Sequence, residues 1–122
     1  MAGIHGQVTV PPSTTVALGN DVSLTCTSAE TSPAFTWSYV TAGQPLYLGT
    51  MRATSVPRYD NIVLQEGTDA QTSILNINAI GLEDDGEYRC STVSESQTPV
   101  TVVTVEGKNY FIYNICVLRK KK

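Results

Sequence analysis

The sequence is short of the residues on which most catalytic and metal sites depend. It has one histidine, His5, and three cysteines, Cys26, Cys90 and Cys116, whose spacing matches no zinc-binding pattern. It also lacks the G-x-S-x-G turn of serine hydrolases. Because an enzyme needs a nucleophile with its base, or a metal, we expect a chain without catalytic residues, metal ligands or a cofactor.

The densest group of carboxylates is the run EDDGE at residues 83–87. An EF-hand calcium loop places its carboxylates at alternating positions and ends on a glutamate at the twelfth. This run has neither property. We therefore interpret it as a turn with solvated acids that leads into a strand.

Long apolar runs are missing as well. No stretch reaches the roughly 20 residues of a membrane-spanning helix. No secretory signal with an apolar core is present, so we expect a secreted protein to be represented here in its mature form. We expect residues 1–6 to be a vector remnant, residues 7–106 one domain, and residues 107–122 an apolar and then basic tail.

Positive charge is scarce over most of the chain. Residues 1–106 contain three arginines and all 11 acidic residues, whereas residues 107–122 contain five basic residues and no acid. A domain this acidic repels phosphate, so we expect no nucleic-acid partner. The basic end is either a solvated tail or a contact for anionic lipid or an acidic partner.

The third cysteine, Cys116, lies in the apolar stretch YFIYNICVL. It is either an unpaired thiol or the link of a disulfide-bonded homodimer. Followed by RKKK, the stretch resembles a clipped membrane anchor. It could equally form an extra strand, either on residues 100–105 of its own domain or on the edge of a neighbouring molecule.

A helical period is absent, and the pattern is that of β-strands. Val, Ile and Thr recur with a period of two in short runs separated by Gly, Pro, Asn and Asp. We predict about seven to nine strands in an all-β sandwich of two antiparallel sheets. A bridge between the inward Cys26 and Cys90 would stabilise it by about 4 kcal/mol and indicates an oxidising compartment.

The chain contains a larger set of spaced residues: Cys26, Trp37 eleven residues later, Leu75, and the motif Asp84-x-Gly86-x-Tyr88-x-Cys90. This set resembles the signature of the immunoglobulin superfamily over roughly residues 7–106. The resemblance implies that Trp37 packs against the disulfide, Gly86 permits a tight turn and Tyr88 forms a tyrosine corner.

Two further segments are similar to variable-type domains of that superfamily. They are Gly43-Gln44-Pro45 and Arg58-Tyr59, and the resemblance implies an ion pair between Arg58 and Asp84. The short segment before Arg58 implies variable-like topology with a short C″ region. The last strand lacks the Phe-Gly-x-Gly bulge of antigen receptors. The chain is more similar to Ig domains of invertebrate, including sponge, cell-adhesion molecules and receptor tyrosine kinases.

This resemblance implies a non-enzymatic protein of the extracellular space or cell surface that binds other proteins. The first hypothesis is a cell-adhesion module that binds a second copy of itself. The alternatives are the ligand-binding ectodomain of an immune-type or tyrosine kinase receptor, and a structural spacer. In the family the G-F-C-C′ sheet usually carries the partner. Strand parity predicts these outward residues there: Ser38, Val40, Tyr47, Arg89, Ser91 and Val93.

Overall fold

The computed structural model describes residues 7–107, which form ten β-strands. The expected vector remnant, Cys116 and the tail beyond residue 107 lie outside the described residues. The strands are β1 (Val8–Thr9), β2 (Thr14–Ala17), β3 (Val22–Ser28), β4 (Thr36–Tyr39), β5 (Gln44–Leu48), β6 (Met51–Arg52), β7 (Ile62–Leu64), β8 (Thr72–Ile77), β9 (Gly86–Ser91) and β10 (Thr101–Glu106). Short 3₁₀ turns span Val40–Ala42, Pro57–Tyr59 and Leu82–Asp84.

The strands form two sheets that pack face to face. The four-stranded sheet has the order β1-β3-β8-β7, and the six-stranded sheet has the order β2-β10-β9-β4-β5-β6. All pairs are antiparallel except β2 with β10, which are parallel. This is the predicted all-β, immunoglobulin-like sandwich, with a second sheet extended by a two-residue β6.

The chain crosses between the sheets at Pro11 and Pro12. Before them β1 pairs with β3, and after them β2 pairs with β10 in the other sheet. Proline has no N–H to give to a ladder, so one continuous edge strand cannot form here. The chain therefore changes sheet at these prolines.

The core lies between the sheets and is crossed by the predicted disulfide. Cys26 and Cys90 are bonded, with their Cα atoms 6.5 Å apart, and both side chains are buried. Trp37 lies opposite Cys90 in the β4–β9 pair, and its indole N–H donates to Ser73 Oγ at 2.8 Å. The inward alternation expected from the sequence is thus confirmed around the bridge, and Leu75, opposite Leu24 in the β3–β8 pair, is fully buried as well.

A 3₁₀ turn at Val40–Ala42 joins β4 to β5. It ends on Gly43, whose φ of 63° is in the left-handed region. Pro45 is consequently part of β5. The segment over residues 50–57 contains β6.

Among residues 7–107, no helix combines the length and the apolar character needed to cross a bilayer.

Candidate interaction face

The six-stranded sheet presents an outward face with one continuous row of side chains across four strands. In the hydrogen-bonded register, Thr36 lies opposite Ser91 on one side and opposite Leu48 on the other. Leu48 in turn lies opposite Met51. Side chains opposite one another in a pair share a face of the sheet. We call these four residues the apolar row, because Leu48 and Met51 are 56% and 73% exposed.

A second row lies next to it and contains Arg89. Ser38 lies opposite Arg89 and Pro45. The Nε of Arg89 donates to the carbonyl oxygen of Thr98 at 3.0 Å, and Thr98 in turn donates to the carbonyl oxygen of Cys90. The arginine is therefore half-buried and held by the loop that precedes β10.

Of the six residues predicted for this face, Val93 is exposed and Ser38, Val40, Arg89 and Ser91 are half-buried. Ser38 lies on β4, and Arg89 and Ser91 lie on β9. Val40 belongs to the 3₁₀ turn after β4, and Val93 lies in the loop after β9 with 88% of its side chain exposed. The structure thus brings three of them onto the sheet and leaves two at its margins.

The prediction for Tyr47 is wrong. Its side chain is only 9% exposed, and it lies opposite the buried Trp37. The register between β4 and β5 shifts between Trp37 and Ser38, so that Leu46 and Tyr47 are both buried. A bulge of this kind reverses the alternation on one side of the extra residue.

The same bulge explains why sequence reasoning missed Leu48. Simple alternation that turns Tyr47 outward turns Leu48 inward. Pro45 was the available signal, because proline within a strand is typical of edges and bulges. Val102 on β10, half-exposed opposite Glu87, was missed as well.

The end of the sandwich near the EDDGE run is occupied by a structural network. The Asp84 carboxylate accepts hydrogen bonds from Arg58 Nη1 and Asn61 Nδ2, both at 3.0 Å, and from the Gly81 N–H at 2.8 Å. The guanidinium of Arg58 also lies 4.3 Å from the ring centre of Tyr59. Asp84 is 99% buried and fully engaged, so this carboxylate is part of the scaffold.

Two tyrosines in this network have a raised pKa. Burial raises the pKa of Tyr88 far above its ordinary value, and the neighbouring Asp84 charge adds to the shift. Burial also raises the pKa of Tyr39, whose hydroxyl donates to the carbonyl oxygen of Asp85 at 2.6 Å. Both phenols therefore act as fixed hydrogen-bond donors near neutral pH.

Within the described range, no group of three or more His, Cys, Asp or Glu side chains is arranged to hold a metal ion. Glu83, Asp85 and Glu87, which flank the buried Asp84 in sequence, are exposed. On the six-stranded sheet, the apolar row presents aliphatic, thioether and hydroxyl groups.

Comparison with known proteins agrees with the architecture. A family model described as an immunoglobulin domain matches residues 7–94. That range contains both cysteines of the bridge, Trp37 and nine of the ten strands. No match was found among curated proteins.

Proposed function

Because the chain belongs to the immunoglobulin superfamily, we propose that it is a non-catalytic adhesion domain of an extracellular or cell-surface protein that binds a second copy of itself. Domains of this family generally mediate protein–protein contacts and are typically non-enzymatic. An internal disulfide such as Cys26–Cys90 is typical of extracellular or secreted domains. The family and the disulfide support an extracellular binding domain. The outward face of the six-stranded sheet supports a second copy of the chain as its partner.

The apolar row carries this proposal. Leu48 and Met51 lie side by side and well exposed, with only hydroxyl side chains completing the row. Protein interfaces are enriched in methionine and aromatic residues and depleted in Lys, Glu and Asp. A row without charge, on strands at one end of a sheet, has the composition of the centre of such an interface.

The charge distribution favours a second copy as the partner. Residues 7–106 carry all 11 acidic residues and three arginines, so most surfaces of two copies repel each other. The apolar row and Ser38 contribute no carboxylate, so two copies can meet there without apposing like charges. A two-fold axis through the row would place Leu48 and Met51 against the same residues of the partner.

Sedimentation velocity across concentration tests this proposal. The full chain with Cys116→Ser should form a reversible dimer, because that variant removes any covalent link through the third cysteine. Leu48→Glu with Met51→Glu should weaken dimerisation about tenfold or more, since two carboxylates would then face each other at the centre of the interface.

A matched control places two carboxylates on the other sheet. Thr9→Glu with Thr25→Glu changes exposed positions of β1 and β3 and should alter the dimer constant less than about twofold. A chain that stays monomeric at high micromolar concentration would contradict self-association. It would favour the alternative in which the face binds a different protein, as in a receptor ectodomain.

A further inference from the structure

A cleft lies between the turn that joins β5 to β6 and the segment that follows β7. Its volume is about 590 Å³, which is within the range of sites that hold a small ligand or a few side chains of a peptide. Its lining comes from residues 33–35, 47, 49–50, 64–70 and 72–73. None of the four residues of the apolar row lines it, so the cleft is a separate surface.

The cleft has an apolar floor and an acidic rim. Phe35 and Tyr47 are buried where they line it, and Leu64 is half-buried. Glu66 and Asp69 are exposed at the rim. None of the described residues that line the cleft is basic. The cleft therefore complements a ligand in which an apolar group lies close to a cation.

One of the two rim carboxylates is held in a fixed position. Asp69 Oδ1 accepts from the Gln71 N–H at 2.9 Å, and the Asp69 carbonyl oxygen accepts from the Thr72 N–H at 3.2 Å. Within residues 7–107, Asp69 Oδ2 has no hydrogen-bond partner. A carboxylate that is oriented in advance loses little conformational freedom when it meets a cation.

The domain does not supply that cation itself. Residues 7–107 contain three arginines and no lysine or histidine. Arg52 pairs with Asp60 at 2.7 Å. Arg58 pairs with Asp84 at 3.0 Å. The third, Arg89, donates to a main-chain carbonyl oxygen in the loop before β10. The rim carboxylates are therefore left without a counter-ion from the described residues.

The strand beside the cleft has one open edge. β7 is the last strand of its sheet, where it pairs with β8. Toward β8, the Gln65 N–H donates to the Ile74 carbonyl oxygen at 2.9 Å. Because the main-chain groups of successive residues face opposite sides of a strand, those of Ile62 and Leu64 point to the open side. Leu64 also lines the cleft, so the open edge and the cleft meet at this residue.

We propose that the cleft and the open edge of β7 bind an extended segment of a partner protein, in which a large apolar side chain and an arginine or lysine are separated by one residue. The main chain of the segment pairs with Ile62 and Leu64 as an added strand. Its apolar side chain packs on Phe35 and Tyr47, and its cation meets the rim carboxylates. This partner and this surface differ from those of the adhesion proposal.

The spacing follows from the geometry of a strand. Side chains two positions apart lie on the same face, roughly 7 Å from each other. An apolar group and a cation separated by one residue therefore both face the cleft. The residue between them faces away from it, so its identity is of little importance.

Peptide titrations followed by ¹H–¹⁵N NMR test the proposal in the full chain with Cys116→Ser. The probes are acetyl-Thr-Phe-Thr-Arg-Thr-amide and the same peptide with Phe and Arg exchanged. One of them should shift the amides of Gly49, Thr50, Leu64 and Gly67 in a saturable manner. Replacing its Arg by Glu, or its Phe by Ala, should weaken binding about tenfold or more without any change in the protein.

The contribution of the rim is measured with a pair of protein variants. Glu66→Gln with Asp69→Asn should weaken binding about fivefold, because the rim charges are lost. Asparagine keeps the oxygen that accepts from the Gln71 N–H. The matched control, Glu87→Gln with Glu106→Gln, removes two exposed carboxylates outside the cleft and should change the affinity less than about twofold.

Methylation of the peptide amides tests the pairing with β7. Only alternate N–H groups of a strand face its neighbour, so methylating the Phe and Arg nitrogens and methylating the central Thr nitrogen should have unequal effects. Equal effects would contradict an added strand.

Three results would overturn the proposal as a whole. They are the absence of shifts at the cleft with millimolar peptide, equal binding of the Arg and Glu peptides, and shifts of the cleft amides that depend on protein concentration without peptide. The last result would assign the cleft to a second copy. None of these results depends on the apolar row, so the adhesion proposal is tested separately.

Discussion

The hydroxyl of Tyr88 donates a hydrogen bond of 2.7 Å to the main-chain carbonyl oxygen of Asp84, four residues earlier. The side chain of the same Asp84 accepts from Arg58, Asn61 and the Gly81 N–H. One aspartate therefore anchors the strand that carries Cys90 through its backbone and the segment before β7 through its carboxylate. The integrity of this end of the sandwich depends on both contacts.

Replacing Arg58 should destabilise the domain. Arg58→Ala leaves the Asp84 carboxylate, with only 1% of its side chain exposed, without its counter-ion. It also removes the guanidinium from the faces of Tyr39 and Tyr59. We expect the free energy of unfolding to fall by about 2–4 kcal/mol, measured by urea denaturation.

Arg52→Ala is the matched control for that measurement. Arg52 and Asp60 form the second ion pair of the described residues, at 2.7 Å, but their side chains are 35% and 64% exposed. Exposed pairs contribute little, so we expect a loss below about 1 kcal/mol. Equal effects of the two substitutions would show that the Asp84 pair is not specially important.

Removing the Tyr88 hydroxyl should have a smaller but measurable effect. Tyr88→Phe keeps the buried ring and deletes the donor to the Asp84 carbonyl oxygen. The expected loss is about 1–2 kcal/mol, because a buried acceptor is left without this partner. Thermal unfolding followed by circular dichroism measures this loss. An unchanged unfolding midpoint would show that the hydrogen bond from Tyr88 to Asp84 does not stabilise the fold.

The disulfide should contribute a large share of stability. Cys26 and Cys90 are 64 positions apart in sequence. Closing a loop of that size stabilises the fold by about 4 kcal/mol, because it lowers the conformational entropy of the unfolded chain. Cys26→Ala with Cys90→Ala should therefore lower the unfolding midpoint strongly, whereas Cys116→Ala should leave it nearly unchanged. An unfolding midpoint of the double variant equal to that of the parent chain would contradict this expectation.

Alkaline pH should destabilise the fold through Tyr39 and Tyr88. Burial raises the pKa of both phenols in the folded state, whereas unfolded tyrosines ionise near pH 10. Above about pH 10 the folded chain thus retains protons that the unfolded chain releases, and stability falls as pH rises. For Tyr88, whose shift is large, the slope approaches about 1.4 kcal/mol per pH unit above pH 10.

Urea denaturation between pH 8 and pH 11 measures that slope. A variant with Tyr39→Phe and Tyr88→Phe is less stable at pH 8 but should lose less additional stability as the pH is raised. Parallel declines in the parent and the variant would assign the alkaline effect to other groups.

Much of the scaffold could be predicted from the sequence, because it depends on the inward and outward alternation of side chains along strands and on the disulfide. Cys26, Trp37 and Cys90 fall on inward positions of unambiguous strands, and the structure buries all three. Gly86 illustrates a constraint readable from residue type. Its φ is 145°, and a Cβ there would lie 2.5 Å from the Thr41 hydroxyl oxygen.

The features that escaped prediction depend on non-local register. The bulge at Leu46 is fixed by how β5 pairs with β4, and it moves Tyr47 inward and Leu48 outward. Asn61 donates to both Asp84 and the Asn78 carbonyl oxygen, a role visible only once the 3₁₀ turn before β7 is placed. The apolar row thus required the structure, although each of its residues is ordinary in the sequence.

The most direct test of the central claim is a concentration series of ¹H–¹⁵N NMR spectra of the full chain with Cys116→Ser. If the apolar row binds a second copy, the amide shifts between low and high micromolar protein should concentrate at Thr36, Leu48, Met51 and Ser91. Amides of the four-stranded sheet, such as those of Thr9 and Thr25, should stay unchanged. Spectra that do not depend on concentration, or shifts centred on the four-stranded sheet, would contradict the account.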